Sequence, residues 1–344
     1  MSLLKYWEAL GVWGTRKSRQ KDSDLELKQK KMFTPLTAKE IQNIKNLWGG
    51  IKLNYKYFEL YKTGHDEVDS RYIPDDLYYT IVDPYFNKPI DCRYIDDKNL
   101  YDLLFSDVNQ PKTVARKENG QFISASYELI TEKEVLLACG EIGKVVVKKS
   151  TNANGGESIY FWENDNSKKS LEILKNILKK DYDFVIQECV KQHSEIAKRH
   201  PTSINTIRIL TLNWHGEVRV LSAIIRMGAN GSNVDNGHSG GVFCGIDEKG
   251  RLKNCAYNYM TGQKFENTHP TSGAVFSDSV IPNFDKCKDL VCKLAPRITS
   301  FSRLTSWDLS ITEEGGTYPY RSKLGLWRSV FSPNSKRSCF WEYN

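Results

Sequence analysis

Two long segments in the second half of the chain constrain the fold most. Thr206–Leu212 and Glu217–Met227 are rich in β-branched and aliphatic residues and are separated by Trp214-His215-Gly216, a hairpin turn by composition. A second pair, Val242–Asp247 and Leu252–Tyr257, turns around Lys249-Gly250. Consecutive strands joined this tightly pair antiparallel. Between such strands lie helical stretches, for example Ser170–Lys180, which sets Leu171, Leu174 and Leu178 on one face. Helices alternating with hairpins give an α+β fold rather than a doubly wound parallel sheet.

The 344 residues are 40% hydrophobic and 26% charged, enough for one large or two to three modest domains with real cores. That balance excludes disordered, collagenous and mucin-like chains. No stretch approaches the roughly 18 consecutive apolar residues of a membrane helix. Leu3–Trp13 is broken by Lys5 and Glu8 and followed by a basic run, which is unlike a secretory leader. The eight cysteines (Cys92, Cys139, Cys189, Cys244, Cys255, Cys287, Cys292, Cys339) form no CxxC pair. They read as reduced thiols of a cytoplasmic protein rather than a disulfide frame or zinc site. The net charge of +7 is concentrated in residues 317–344, which carry +4, so the remaining +3 gives no reason to expect a nucleic-acid partner.

Along the chain, residues 1–50 read as a helical N-terminal extension, with Leu3, Leu4, Trp7 and Leu10 at helical spacing. Ser23, Asp24 and Thr37 are its expected caps and Gly49-Gly50 its stop. Residues 51–138, aromatic-rich and broken at Pro74, Pro84, Pro89 and Pro111, suggest an α/β domain. Two further units follow at 139–190 and 191–316. Residues 317–344 mix Trp, Cys, Ser and Arg without a period and read as an aberrant tail.

Three places carry candidate chemistry. Lys144–Lys149 is a β-branched strand followed by the polar loop Ser150–Glu157 and the strand Ser158–Trp162. The ammonium of Lys148, with Ser150, Asn154, Gly155 and Gly156 after it, suits a polyphosphate, because glycine lets amides approach anionic oxygens. The loop is neither a Walker A nor a Rossmann motif, and an ordinary Gly-rich hairpin has the same composition. Second, the strand Asp183–Val190 ends in Gln187-Glu188-Cys189-Val190, which offers backbone groups to an adenine edge and a carboxylate to a ribose; a plain strand end reads the same. Third, Arg208 lies between Ile207 and Ile209, opposite the apolar side, and Arg226 lies in Ile225-Arg226-Met227-Gly228. Such arginines neutralise a phosphate, clamp a carboxylate, or simply sit in a salt bridge. Asp235, Asn236, Gly240 and Gly241 complete a polar loop that can close over a substrate.

These residues together carry a resemblance. Gln187-Glu188, Gln192-His193, Pro201–Arg208, Arg226-Met227-Gly228, Val234-Asp235-Asn236, Gly240-Gly241, His269-Pro270 and Trp307-Asp308 resemble the sugar-transfer-associated ATP-grasp family, from about Tyr94 to Thr312. The resemblance implies an ATP-grasp fold in which two α+β subdomains, here 139–190 (small) and 191–316 (large), clamp Mg·ATP. It implies a ligase that makes an acylphosphate from a small-molecule or glycan-linked carboxylate and passes it to an amine or hydroxyl acceptor in cell-surface polysaccharide biosynthesis. Lys98 and Lys148 are similar to the two phosphate lysines, Ser150–Gly156 to the phosphate loop and Gln187–Val190 to the adenine hinge. Arg208 and Arg226 are the candidate catalytic contacts to phosphate or carboxylate. Asn205, Asp235, Asn236, Gly240 and Gly241 are the candidate substrate contacts, and Asp308 matches a magnesium-binding carboxylate. A non-catalytic nucleotide-binding relic and a kinase-like phosphotransferase on the same fold are the competing readings.

The resemblance also implies Glu-x-Asn about a dozen residues after Asp308, and the sequence departs there. Thr317-Tyr318-Pro319-Tyr320-Arg321-Ser322-Lys323 follows Glu313-Glu314-Gly315-Gly316 instead. Codons for this stretch, read one nucleotide later, permit Pro-Ile-Leu-Ile-Glu-Ala-Asn, which puts Glu at 321 and Asn at 323. A frameshift near Gly315-Gly316 is the expected cause, with weakened or absent catalysis and a poorly packed tail from Thr317 as the expected consequences.

Overall fold

Two antiparallel sheets organise the chain. The first runs through β1 (Thr113–Glu118), β2 (Gln121–Ser124), β3 (Leu129–Ile130), β4 (Lys144–Lys149), β5 (Ile159–Glu163) and β6 (Phe184–Glu188), in the order β3-β2-β1-β6-β4-β5. The second comprises β7 (Thr206–Trp214), β8 (Glu217–Met227), β9 (Val242–Ile246), β10 (Leu252–Asn258), β11 (Lys264–Glu266), β12 (Leu304–Ile311) and β13 (Thr317–Lys323), in the order β11-β10-β9-β8-β7-β12-β13. The principal helices are α1 (Ala38–Trp48), α2 (Lys56–Lys62), α3 (Glu132–Ile142), α4 (Lys168–Leu178), α5 (Ser194–Ala197) and α6 (Phe284–Leu294). This computed structural model describes residues 14, 16–25, 27, 28, 30, 33–63, 65–87, 95, 97–151, 158–258, 260–277, 279–313 and 316–323, the last seven by backbone alone. None of the helices described is long and apolar enough to cross a membrane.

Local chemistry sets the element ends. Thr131 caps α3 in a reciprocal box with Glu134, and Thr37 does the same for α1 with Glu40. The β7–β8 turn puts His215 at φ 51° and Gly216 at φ 83°, the left-handed pair that a two-residue hairpin needs. Each sheet buries one face against helices. Val145, Val147, Phe184 and Ile186 meet Cys139 of α3 and Leu174 and Leu178 of α4. Ile207, Ile209, Ile225, Trp307 and Leu309 meet Cys287, Val291 and Leu294 of α6. Alternation then turns Arg208 and Asp308 to the other face of the second sheet.

Residues 51–138 differ from the expected α/β domain. Tyr57, Phe58 and Tyr61 recur at helical rather than strand spacing and bury with Ile44 and Tyr72. Ile73 and Tyr78 continue this helical layer onto Leu210, Leu221 and Leu304 of the second sheet. Strands β1–β3 join the first sheet, so that sheet crosses the boundary expected at residue 138. Ser23 and Asp24 lie within a helical stretch, residues 16–25, rather than at its caps. Leu3, Leu4, Trp7 and Leu10 fall outside the described residues.

The tail also differs from expectation over its first seven residues. Thr317–Lys323 is a strand paired to the outer edge of β12, because ladder hydrogen bonds need backbone rather than particular side chains. Its one proline, Pro319, sits where the register shifts between Asp308 and Leu309, a place where a missing amide is tolerated. Residues 324–344 lie outside the described residues.

Candidate nucleotide site and its charged floor

The first group of site residues gathers at the end of β4. Lys148 is buried and its Nζ donates to Gln187 Oε1 on the neighbouring β6, at 3.1 Å. Gln187 in turn donates to the Pro111 carbonyl at 3.4 Å and to Thr113 Oγ1 at 3.5 Å. Lys98 arrives from a separate segment, where Asp97 caps a short helical turn. Its Nζ donates to the carbonyls of Lys149 and Ser150, both at 2.9 Å, and its backbone amide also reaches Ser150. Lys98, distant in sequence, thus docks on the two carbonyls that directly follow Lys148 in the chain. Asn154, Gly155 and Gly156 of the adjoining loop lie outside the described residues.

The expected hinge is partly engaged within the fold. The amides of Glu188 and Cys189 donate to the carbonyls of Lys112 and Lys144, at 2.9 and 3.2 Å. Beyond Val190, Lys191 and His193 pair by backbone with Glu313 and Ile311 at the end of β12. The exit from β6 is thereby fixed beside the strand that carries Asp308.

The second group forms a charged floor on the second sheet. Register sets Arg208 of β7 opposite Asp308 of β12, and the guanidinium grips the carboxylate through Nε–Oδ1 at 2.6 Å and Nη2–Oδ2 at 2.7 Å. Arg226 of β8 bridges Asp308 Oδ2 and Asp235 Oδ1, each at 3.1 Å. Asp235 also accepts from the Thr206 amide at 3.3 Å and from its hydroxyl. Burial works against the charge on Arg208, but the Asp308 carboxylate outweighs it and the pKa is raised. Arg208 is therefore not the surface ion pair that its alternation allowed; it is a buried one, 5% exposed.

The remaining expected contacts divide. Asn205 is built into the fold, its amide donating to Gln192 Oε1 and the carbonyls of Ile196 and His200. Asn236 accepts from the amides of Ser239 and Gly241, and the Gly240 carbonyl accepts from Asn258. Gly241 admits no side chain, since a Cβ would stand 2.8 Å from the carbonyl oxygens of both Asp235 and Asn236. The loop after β8 is thus tied at its far end to the carboxylate that holds Arg226.

Sequence reasoning missed several residues. Ser306 and Ser310 flank Asp308 on the same face; both are fully buried, and their hydroxyls have no hydrogen-bond partner. Their spacing of two residues on either side of Asp308 was the available signal. His200 and His269 are buried with ring centroids 5.9 Å apart, His200 on Ser203 Oγ at 3.0 Å and His269 on the Gly228 carbonyl at 2.9 Å.

Asp308, as it is paired here, does not fit magnesium. Among the described residues no group of three or more His, Cys, Asp or Glu side chains can hold a metal ion. Asp308, the carboxylate expected to bind it, is held by two guanidinium groups instead.

The architecture, two α+β layers with buried lysines on one and an arginine–carboxylate floor on the other, is an ATP-grasp fold. The chain belongs to the sugar-transfer associated ATP-grasp family, which matches residues 82–318. Three solved structures are similar. D-alanyl-alanine synthetase A from Vibrio cholerae is 12% identical, with 68% of this chain and 55% of that one covered, at a TM-score of 0.39. The biotin carboxylase domain of Hydrogenobacter thermophilus 2-oxoglutarate carboxylase, solved with MgADP and bicarbonate, is 14% identical over 67% and 40%, at 0.40. The ATP-grasp ligase PsnB, complexed with its minimal precursor, is 14% identical over 70% and 55%, at 0.37. The chain thus matches 40 to 55% of the length of these proteins. No curated protein matches it in sequence.

Proposed function

We propose that this chain is an ATP-dependent ligase that activates a carboxylate and transfers it to an amine or hydroxyl. The observation that carries the reading is the convergence of Lys98 and Lys148 on the end of β4. Two buried ammonium groups hold a polyphosphate as point charges, with Ser150 and the glycine loop as the supporting donors. Gln187–Val190 borders the adenine, and the Asn236–Gly241 loop closes over the acceptor. Arg208 and Arg226 supply guanidinium donors for the negative charge that an acylphosphate develops. The family's description supports a substrate linked to sugar transfer, and hence a role in cell-surface polysaccharide assembly. Six described cysteines, all free thiols, fit a reducing cytoplasm.

ATP titration followed by the thermal midpoint is the first test, because a ligand selective for the native state raises it. An unchanged midpoint at saturating ATP overturns the nucleotide reading. ADP release that depends on an added carboxylate and acceptor separates the ligase from a second reading, a nucleotide-binding relic. The two guanidinium groups on Asp308 favour that second reading. Phosphate found on the acceptor instead of free in solution identifies a kinase-like transfer.

A further inference from the structure

Strand β13 determines which residues can join Asp308. Its register pairs Asp308 with Arg321 and Ser306 with Lys323. Residues directly opposite in an antiparallel pair share a face, with Cβ atoms about 4.5–5.5 Å apart. Positions 321 and 323 are therefore the two on β13 from which a ligand set begun by Asp308 can be completed. A hard divalent cation needs oxygen donors there. This chain has a guanidinium and an ammonium, which donate hydrogen bonds but have no lone pair for a metal. On the other side Asp308 meets Arg208 and Arg226. A one-nucleotide shift in reading permits Glu and Asn at these same two positions.

Two serines border the same carboxylate. The fully buried hydroxyls of Ser306 and Ser310, either side of Asp308, lack hydrogen-bond partners. Buried hydroxyls are ordinarily hydrogen-bonded, and the exceptions call for an explanation.

We propose that this face holds no divalent metal in this chain, and that residues 321 and 323 separate this state from a metal-binding one. In this chain Arg208 and Arg226 already balance Asp308 and Asp235, so the carboxylate has no free charge to offer a cation. Arg321→Glu together with Lys323→Asn converts the floor into a three-residue divalent site with Asp308. The ATP arm of the test rests on the function proposed above; the metal claim does not.

The test uses the full chain. Mn²⁺ is titrated without nucleotide and followed by electron paramagnetic resonance, and ATP affinity is measured in magnesium and in EDTA. The expected results are no stoichiometric Mn²⁺ on the natural chain, equal ATP affinity in both buffers, and one Mn²⁺ on the double variant that is lost when Asp308→Asn is added. A stoichiometric Mn²⁺ on the natural chain overturns the proposal, as does a folded double variant that gains none. If circular dichroism finds the double variant unfolded, the titration of the natural chain decides alone. ATP affinity that collapses in EDTA overturns metal independence. Absence of ATP binding in both buffers overturns the nucleotide reading, while the Mn²⁺ arms still decide the metal claim.

Discussion

Arg208 and Asp308, a hundred residues apart, are bound by two parallel hydrogen bonds of 2.6 and 2.7 Å between adjacent strands, and both are almost wholly buried. A bidentate pair in this setting fixes the register of β12 against β7 as well as neutralising charge. Removing one partner strands the other in a site that water does not reach. Arg208→Ala and Asp308→Ala are each expected to cost about 3–5 kcal/mol in urea unfolding. The alanine at 308 is expected to cost more, because it strands Arg226 as well. Replacing Arg208 and Asp308 together by Met and Leu is expected to cost less than either single change. A double variant that costs as much as the two single changes added together would show that the pair is not coupled.

Lys148 and Lys98 are expected to separate binding from stability. Lys148→Met leaves Gln187 Oε1 without its 3.1 Å donor, for a cost of about 1–3 kcal/mol. Its larger effect is expected on ligand: the ATP-induced rise in thermal midpoint disappears. Lys98→Met removes the donor to two carbonyls at once and is expected to lower the ligand-free midpoint further. A Lys148→Met protein that is still stabilised by ATP as strongly as the natural chain argues against phosphate contact there.

Much of this frame is legible in the sequence. The three valines of β4 between lysines mark a buried strand, and alternation around Arg208 shows correctly that it leaves the apolar side. What local pattern cannot supply is the partner. That Arg208 meets Asp308 depends on which residue of a distant strand falls opposite, a long-range register with no local signature. The same holds for Lys98, whose segment carries no strand or helix period and is positioned by the carbonyls of Lys149 and Ser150. Within the α/β domain expected at 51–138, the aromatic-rich composition does not tell helix from strand, and burial at positions 57, 58 and 61 follows the helix. The strand at 317–323 was missed because the free edge of β12 accepts an extended segment with no apolar alternation.

His269 gives a pH dependence with a defined sign. Burial, then the nearby His200, disfavour its charged form, and the Gly228 carbonyl offsets only part of this, leaving a pKa of about 4 against an ordinary 6.5. A base with a lowered native pKa binds its proton more readily when unfolded. Its contribution to stability is therefore intact above pH 6.5 and is lost as pH falls toward 4. Asp75 acts in the opposite sense: burial raises it to about 6 from 3.8, so its contribution grows as pH falls through that range. Comparing variants isolates the histidine. His269→Gln, which keeps a donor for Gly228, is expected to flatten the loss between pH 6.5 and 4 in urea titrations. An unchanged slope would place the acid sensitivity elsewhere.

Gly241 tests whether the loop after β8 supports the charged floor. A methyl group there would stand 2.8 Å from two backbone carbonyl oxygens, those of Asp235 and Asn236, and backbone cannot swing aside as a side chain does. Gly241→Ala therefore has to displace Asp235, which holds Arg226 and Thr206. The expected cost is about 1–3 kcal/mol of stability, together with weaker ligand-induced stabilisation, because Arg226 loses one of its two carboxylates. Gly228→Ala is the informative comparison, since its methyl would meet the side chains of His200 and Ser203 at 2.6 Å. Those side chains can rearrange, at the expense of their mutual 3.0 Å hydrogen bond, without moving Asp235. Stability is expected to fall in both variants and ligand response in Gly241→Ala alone. A Gly241→Ala protein that responds to ATP normally would uncouple the loop from the arginine floor.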